Sequence, residues 1–119
     1  MSGADKTVPF MGQALVAPAK ITNYLLSLTH PIGRAKAGFF LGCGFTPKYP
    51  QGLIDALIVH AKTHSAYSKP SPYGLKYIVE GPLDTPARGP MLVCSVWMME
   101  MGSSTPTFVT AYPIKRAKK

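Results

Sequence analysis

Apolar residues in the first half of the chain recur at the three- and four-residue spacing of helices. After Pro18, the apolar positions are Ile21, Tyr24, Leu25 and Leu28. They share one face of a predicted helix that ends at 29–30, because the residue before Pro31 is disfavoured in a helix. A second helix is predicted from about Gly33 to Leu41, and a third from about Leu53 to Thr63. The short apolar run at 14–16 is predicted to be an edge strand or extended segment.

The second half of the chain has the patterns of strands. Gly74–Glu80 alternates apolar and polar positions, and Thr107–Tyr112 is rich in β-branched and aromatic residues. Met91–Met99 is almost wholly apolar, which is typical of a central strand buried on both faces. Residues 64–73 are predicted to be a loop and residues 81–90 a turn region, since both are rich in proline. Three sequential strands favour an antiparallel meander.

This order of elements predicts an α+β fold, with two to three N-terminal helices packed on a three- to four-stranded antiparallel sheet. The 119 residues fit one domain. We expect a flexible N-terminus at 1–12, a single α+β domain at 13–113 and a basic tail at 114–119. No apolar run reaches the ~18 residues that span a bilayer, and residues 1–10 lack the features of a signal peptide. The expected location is the cytoplasm, either directly or as a fragment delivered by a larger protein, without membrane insertion.

The charge of the chain narrows the choice of partner. Thirteen Lys and Arg stand against five Asp and Glu, which gives a net charge of +8. Such an excess favours a polyanionic partner, with nucleic acid first. Without the four cations of residues 115–119, the net charge of +8 falls to +4. A basic tail alone is usually solvated and unspecific, so the tail by itself does not decide the partner. RNA is the partner that we expect.

Candidate metal ligands are few in this sequence. Cys43 and Cys94 form no CxxC pair and are interpreted as small buried hydrophobic residues. His60 and His64 have the i, i+4 spacing of a ligand pair, but Lys62 between them repels cations. His60 is therefore interpreted as a residue at the edge of the core. The five acids are scattered along the sequence, whereas two-metal nucleases need clustered acids. We expect neither a metal nor a cofactor.

The strongest candidate chemistry lies in residues 30–36, HPIGRAK. A helix that begins near Gly33 would present backbone N–H groups to an anion. Arg34 forms the planar fork suited to phosphate oxygens, and Lys36 adds a mobile charge. His30 is a candidate acid or base, because histidine titrates near neutral pH. Taken alone, the segment also fits a structural corner between two helices, in which His30 caps the first helix and Lys36 is solvated.

A second group of candidates lies outside that segment. Strand alternation puts Thr110 and Tyr112 on one face, where two hydroxyl groups could donate to a phosphate. The alternative is an ordinary sheet face, in which Thr110 serves only strand formation. Lys20 on the first helix and Lys76 on a strand are candidate substrate-binding residues. RNA can be cleaved without a metal, because its own 2′-hydroxyl is the nucleophile and the protein supplies a base, an acid and cations.

Short motifs follow one another along the chain. They are Tyr24-Leu25-Leu26, His30-Pro31-x-Gly33, Lys36-Ala37, Phe39-Phe40, Gly44-Phe45, Tyr73-Gly74-x-Lys76-Tyr77, Glu80-Gly81-Pro82-Leu83, Val96-Trp97 and Val109-Thr110-Ala111-Tyr112-Pro113. In this order they resemble an uncharacterised bacterial domain family of unknown function, found alone and at the ends of large polymorphic toxins. The resemblance covers roughly residues 13–113. The layout is also similar to the small ribonuclease-toxin fold of barnase, colicin-type tRNases and mRNA-cleaving toxins, in which helices pack on a short antiparallel sheet.

Residues and resemblance together favour a metal-independent endoribonuclease of toxin type, acting on tRNA or mRNA. The expected catalytic residues are His30, Lys36, Thr110 and Tyr112, and the expected substrate-binding residues are Lys20, Arg34 and Lys76. An acidic immunity protein or antitoxin would cover the cleft. A non-enzymatic basic binding module, accessory or immunity-like, is the alternative. Convergence of the catalytic residues within ~10 Å would favour the enzyme.

Overall fold

The computed structural model describes residues 7–9, 11–30 and 34–114, except for the side chains of residues 34 and 35. Its helical elements are a 3₁₀ turn (Met11–Gln13), α1 (Pro18–Lys20), a π-helical segment (Ile21–Leu25), α2 (Arg34–Gly42) and α3 (Pro50–Thr63). Its strands are β1 (Ala66–Ser71), β2 (Gly74–Thr85), β3 (Gly89–Glu100) and β4 (Thr107–Pro113). The predicted α+β class is confirmed in outline, since helices precede an antiparallel sheet. Among the described residues, no helix has the length and apolar character to cross a membrane.

The sheet is an antiparallel meander, as predicted, with the strand order β1-β2-β3-β4. The prediction that β3 is central and buried on both faces is confirmed, because residues 93–97 are buried without interruption. Trp97 is fully buried, and its ring meets that of Phe108 edge-on at 5.4 Å. Cys43 and Cys94 are free and fully buried, in agreement with their interpretation as small core residues.

The predicted loop at 64–73 is wrong, because Ala66–Ser71 pairs along β2 as the edge strand β1. The side chains of β1 are mostly exposed, so the strand lacks the apolar alternation on which the prediction depends. Lys69 and Pro70 are residues that edge strands tolerate. Gly74 closes the hairpin at φ 147°, where a Cβ atom would collide with the carbonyl oxygen of Met99.

The predicted turn at 81–90 is too long. β2 continues to Thr85 and β3 begins at Gly89, which leaves only 86–88 as the turn. Pro82 fits into β2 because it lies beyond Val79, the last residue of β2 that pairs with β1, where the strand needs fewer N–H donors.

Two helix boundaries also differ from the predictions. The first helical stretch ends at Leu25 rather than near residue 29, and Leu28 is 61% exposed. α3 begins at Pro50 rather than Leu53, because proline suits the first turn of a helix.

The segment before α1 binds the outer edge of β4. The predicted extended stretch at 14–16 is confirmed, since Leu15 forms a parallel bridge with Thr107. The N–H of Leu15 donates to the Pro106 carbonyl oxygen at 2.8 Å, and the N–H of Phe108 donates to the Leu15 carbonyl oxygen at 2.9 Å. Val8 is buried as well. These contacts bring α1 to the edge of the sheet.

A buried chain of hydrogen bonds connects α3 to the centre of the sheet. The Gly81 carbonyl oxygen can only accept, so Nε2 of His60 donates to it at 3.0 Å. Nδ1 of His60 then accepts from Ser95 Oγ at 2.9 Å, and Ser95 Oγ accepts from Trp97 Nε1 at 3.0 Å. His60 is 1% exposed, deeper in the core than predicted. Burial is the main cause that lowers its pKa below 6.5.

We predict that protonation of His60 destabilises the fold. Because the folded pKa lies below the unfolded one, the unfolded chain binds the proton first, so the free energy of unfolding falls as pH drops below the ordinary histidine value. Denaturant unfolding from about pH 7 to about pH 5 should show this decline. The decline should be shallower in His60→Gln, whose amide can donate and accept but does not titrate. The same pH dependence in both proteins would contradict the prediction, whatever the absolute stability of the variant.

Candidate functional site

Three polar side chains from distant parts of the chain meet beside β4. Lys36 Nζ, from α2, donates to Tyr24 Oη at 2.7 Å. Tyr24 Oη lies 3.0 Å from Thr110 Oγ1, and Lys36 Nζ lies 3.4 Å from the same Thr110 oxygen. The three atoms therefore form a closed, half-buried triangle. Lys36 and Thr110, which were both predicted catalytic residues, are in direct contact although they are 74 positions apart.

Helix periodicity explains how these side chains reach the sheet. In the π-helical segment, Ile21 and Leu25 face the core and are fully buried. Tyr24 lies beside that apolar face and is half-buried, so its hydroxyl group points towards β4. In α2, the buried Ala37 and Phe40 fix the helix and leave Lys36 at the margin of the core.

Lys20 lies one helical turn before Tyr24, which places both on one side of the helix. Its Nζ is 5.3 Å from the centre of the Tyr24 ring, and the Nζ of Lys36 is 5.0 Å from the same centre. Lys20 Nζ also donates to the Val109 carbonyl oxygen at 3.1 Å. Val109 is the extra residue of a β-bulge, because Val96 pairs with Thr110 but the next residue of β3 pairs with residue 108. The bulge offers a carbonyl group to Lys20 beside the Thr110 hydroxyl group.

His30 lies at the side of the triangle. Its ring meets the Tyr24 ring edge-on, with 5.0 Å between the centroids and an interplanar angle of 83°. The side chain is half-buried. Residues 31–33, where a backbone anion site was predicted, lie outside the described residues, as does the side chain of Arg34. Of the predicted site, His30, Lys36, Thr110 and Lys20 thus gather around Tyr24.

The site carries two positive charges that have no carboxylate partner among the described residues. Among the residues that the structure describes, the polar contacts of Lys20 and Lys36 are a carbonyl oxygen and two hydroxyl oxygens. Burial alone would raise the pKa of Tyr24. The hydrogen bonds of Lys36 and Thr110 and the charges of Lys36 and Lys20 together outweigh burial, so the pKa lies below 10.0. The site is complementary to an anion.

Tyr112 lies on the same face as Thr110 but makes different contacts. The register pairs Thr110 with Val96 and Tyr112 with Cys94. The hydrogen bond with Cys94, followed by burial, raises the pKa of Tyr112 to about 12. At neutral pH its hydroxyl group is therefore protonated and already hydrogen-bonded to the sulfur of Cys94.

Lys76 lies on β2, two strands away from Thr110. It pairs with Met98 on β3 and with Lys69 on β1. Met98 and Val96 are two residues apart on β3, so Lys76 faces the same side of the sheet as Thr110. The structure thus places this predicted substrate-binding residue on the surface that leads away from the triangle.

A cavity of about 460 Å³ lies between α3 and the β2–β3 hairpin, away from the triangle. Its lining includes His60, His64, Asp55 and Asp84. Both ring nitrogens of His60 are engaged in the hydrogen bonds to the sheet, and His64 Nδ1 lies 2.9 Å from the His60 carbonyl oxygen. No three His, Cys, Asp or Glu side chains of the described residues gather as a metal site needs.

Tyr24 is the site residue that the sequence did not reveal. It falls in the apolar stripe of the first predicted helix, where a tyrosine is naturally interpreted as core. The available signal was Lys20 four positions earlier, because residues at i and i+4 are neighbours on a helix.

We predict that Lys36→Met raises the pKa of the Tyr24 phenol, because the substitution removes a hydrogen bond and a positive charge. The protein has six tyrosines, so the signal of Tyr24 must be isolated by subtraction. Tyrosinate absorbance is titrated for the wild type and for Lys36→Met, and in each case the titration of the same protein with Tyr24→Phe added is subtracted. Lys48→Met, at an exposed loop lysine, is the matched control and should leave the difference curve in place. Identical curves with and without Lys36 would contradict the electrostatic account.

A solved structure and a protein family are similar to this chain. One chain of the solved contact-dependent growth inhibition toxin–immunity protein complex from Klebsiella pneumoniae 342 has a TM-score of 0.67 and 16% identity. The match covers 90% of this chain and 98% of that one, and at this identity it shows a shared fold. No curated protein was found to match. Residues 7–115 match the model of a family described as a domain of unknown function, and the chain belongs to this family, DUF6883.

Proposed function

We propose that this protein is a metal-independent endoribonuclease of toxin type. The observation that carries the proposal is the pair of lysines, Lys20 and Lys36, that meet around Tyr24 without a described carboxylate. A phosphate bound there would replace the missing negative charge, with Thr110 as a further hydrogen-bond donor. His30 beside Tyr24 adds an imidazole, a group that can donate or accept a proton.

In the proposed reaction, the 2′-oxygen of the RNA attacks the adjacent phosphorus, and the bond from phosphorus to the 5′-oxygen breaks. A base accepts the 2′-hydroxyl proton, and an acid protonates the departing 5′-oxygen. The products are a 2′,3′-cyclic phosphate and a 5′-hydroxyl group. Lys36 and Lys20 offset the extra negative charge that develops on the phosphate oxygens.

We assign the base to Tyr24 and the acid to His30. The lowered pKa of Tyr24 makes its phenol easier to deprotonate, and Lys36 stabilises the phenolate that results. Tyr112 keeps its proton and is hydrogen-bonded to Cys94, so we limit its part to positioning the site, without proton transfer. Arg34, at the start of α2, and Lys76, on the open sheet, would hold flanking phosphates.

The toxin setting rests on the shared fold. The neighbour comes from a toxin–immunity protein complex. The fold-level analogy with barnase-type ribonuclease toxins remains part of the proposal. An acidic immunity protein or antitoxin that covers the two lysines would inhibit the reaction by taking the place of the phosphate. The target is tRNA or mRNA of the cytoplasm into which the toxin is delivered.

The same neighbour complex also contains an immunity protein, so a non-enzymatic binding module of immunity type is the second candidate. It would use the basic surface to hold a protein or nucleic acid, with the triangle serving only to fasten α2 to β4. Under this alternative, neither the wild-type protein nor Tyr24→Phe cleaves RNA, and the substitution alters stability.

We predict that the protein cleaves total RNA in the presence of EDTA and leaves 2′,3′-cyclic phosphate ends. Tyr24→Phe and His30→Ala should each lower the rate by ~10²-fold or more, as for the loss of an acid or base. Tyr49→Phe, at an exposed tyrosine, is the control and should cleave normally. Thermal melting of each variant separates lost chemistry from lost folding. Absent cleavage, or equal cleavage by His30→Ala, refutes the proposal and favours the binding module.

The assignment of acid and base has its own test. An RNA with sulfur in place of the bridging 5′-oxygen has a leaving group that needs no proton. Its cleavage should be nearly normal in His30→Ala and remain slow in Tyr24→Phe, because only the acid becomes dispensable. Rescue of Tyr24→Phe instead of His30→Ala would reverse the two roles.

A further inference from the structure

The face of the sheet that contains Thr110 is organised in rows across the strands. Residues directly opposite each other in an antiparallel pair share a face. One row consists of Tyr67, Ile78, Val96 and Thr110, and the neighbouring row of Lys69, Lys76 and Met98. The first row is apolar or aromatic and ends in the candidate site. The second row begins with two lysines at the opposite edge of the sheet.

Exposure along these rows increases away from the candidate site. Val96 is nearly covered, Ile78 is half-buried, and Tyr67 on β1 is 53% exposed. Lys76 is half-buried, whereas Lys69 is exposed. Ile78 lies two strands from Thr110, a separation of roughly 10 Å. The surface therefore opens from the triangle towards β1.

The two lysines face each other across β1 and β2, which is an unfavourable arrangement. Like charges directly opposite in a sheet are destabilising. Glu100 occupies the position diagonal to Lys76, yet neither lysine forms an ion pair within the described part of the chain. Bound phosphates would offset the repulsion between the two lysines, and the neighbouring hydrophobic row would remain free to contact bases.

Two carboxylates flank this surface, one at each of its limits along the strand direction. Glu80 lies in the row with Cys94 and Tyr112, and Glu100 lies in the row with Gly74. Both side chains are exposed and would repel phosphates. A nucleic-acid backbone that leaves the candidate site is thereby restricted to the space between them, across the strands and over Lys76 and Lys69.

We propose that this surface, the lane formed by Tyr67, Lys69, Lys76 and Ile78, binds an unpaired RNA strand that leads to the candidate site. Phosphates bind the lysines, and a base stacks on Tyr67. The strand must be unpaired, because a base in a duplex cannot reach the Tyr67 ring. This inference deepens the proposed ribonuclease function and rests on it.

Binding of uncleavable RNA tests the lane independently of catalysis. A fluorescent 2′-O-methyl RNA has no nucleophile, so the wild-type protein can be titrated by anisotropy. Lys69→Ser with Lys76→Ser should weaken binding and reduce the slope of log affinity against log salt by ~0.7 per lysine. Lys48→Ser with Lys62→Ser removes the same charge at exposed positions outside the lane and should bind like the wild type.

Stability and stacking supply two further readouts. The Lys69→Ser and Lys76→Ser protein should melt no lower than the wild type, because the substitutions remove a repulsion. Tyr67→Ser should weaken binding at least ~5-fold through lost stacking, whereas Tyr73→Ser, at a turn tyrosine with 73% exposure, should not.

Each result supports or overturns the lane. Equal weakening by the two lysine pairs would show an unspecific charge effect and overturn it. Equal affinity for duplex and unpaired RNA would also overturn it. Competition by polyglutamate as strong as by RNA would overturn it too and would indicate an acidic protein partner. Failure of the ribonuclease proposal appears elsewhere, as absent cleavage of ordinary RNA by the wild-type protein.

Discussion

The hydrogen bonds of His60 hold α3 against the centre of the sheet, and the position of the candidate site depends on that attachment. α3 covers one face of the sheet through Ser95 and Gly81, and the candidate site lies at the edge strand β4, whose Thr110 is on the opposite face. Gly81 allows α3 to approach this closely, since a Cβ atom there would press into the His64 ring. His60, with both ring nitrogens hydrogen-bonded, thus serves the scaffold, whereas the half-buried His30 is the histidine that we propose for the site.

The site itself is held by hydrogen bonds that do not neutralise the charges of its two lysines. A lysine bonded to a hydroxyl or carbonyl oxygen keeps its full charge, whereas a lysine paired with a carboxylate is neutralised. Lys20 and Lys36 both have contacts of the first kind, and the Nζ of each lies within 5.3 Å of the centre of the Tyr24 ring. Tyr24 responds with a lowered pKa. The same hydrogen bonds therefore fasten the helices to β4 and leave positive charge for an anion.

Much of this arrangement could be predicted from local patterns, and the exceptions have physical causes. Helical periodicity and the apolar run of β3 gave the layers and their order. A meeting of Lys36 with Thr110 was implied by the resemblance to ribonuclease toxins, in which helices pack on a sheet, and not by a local pattern. Tyr24 was missed because an apolar stripe does not reveal which member lies at its margin. β1 was missed because an edge strand of exposed polar residues is stabilised by backbone pairing, which leaves no side-chain pattern.

The two positive regions of the sheet face share one electrostatic property, which is that each attracts a negatively charged partner. In the part of the chain that the structure describes, each keeps two lysines close together without a carboxylate partner, one pair around Tyr24 and the other at Lys69 and Lys76. Either region alone would be an ordinary local imbalance. Together they lie at opposite ends of one surface bounded by Glu80 and Glu100, so that a single extended polyanion could satisfy both. A compact anion could occupy only one of them. The spacing of the charges therefore favours a chain of phosphates over a small phosphorylated ligand.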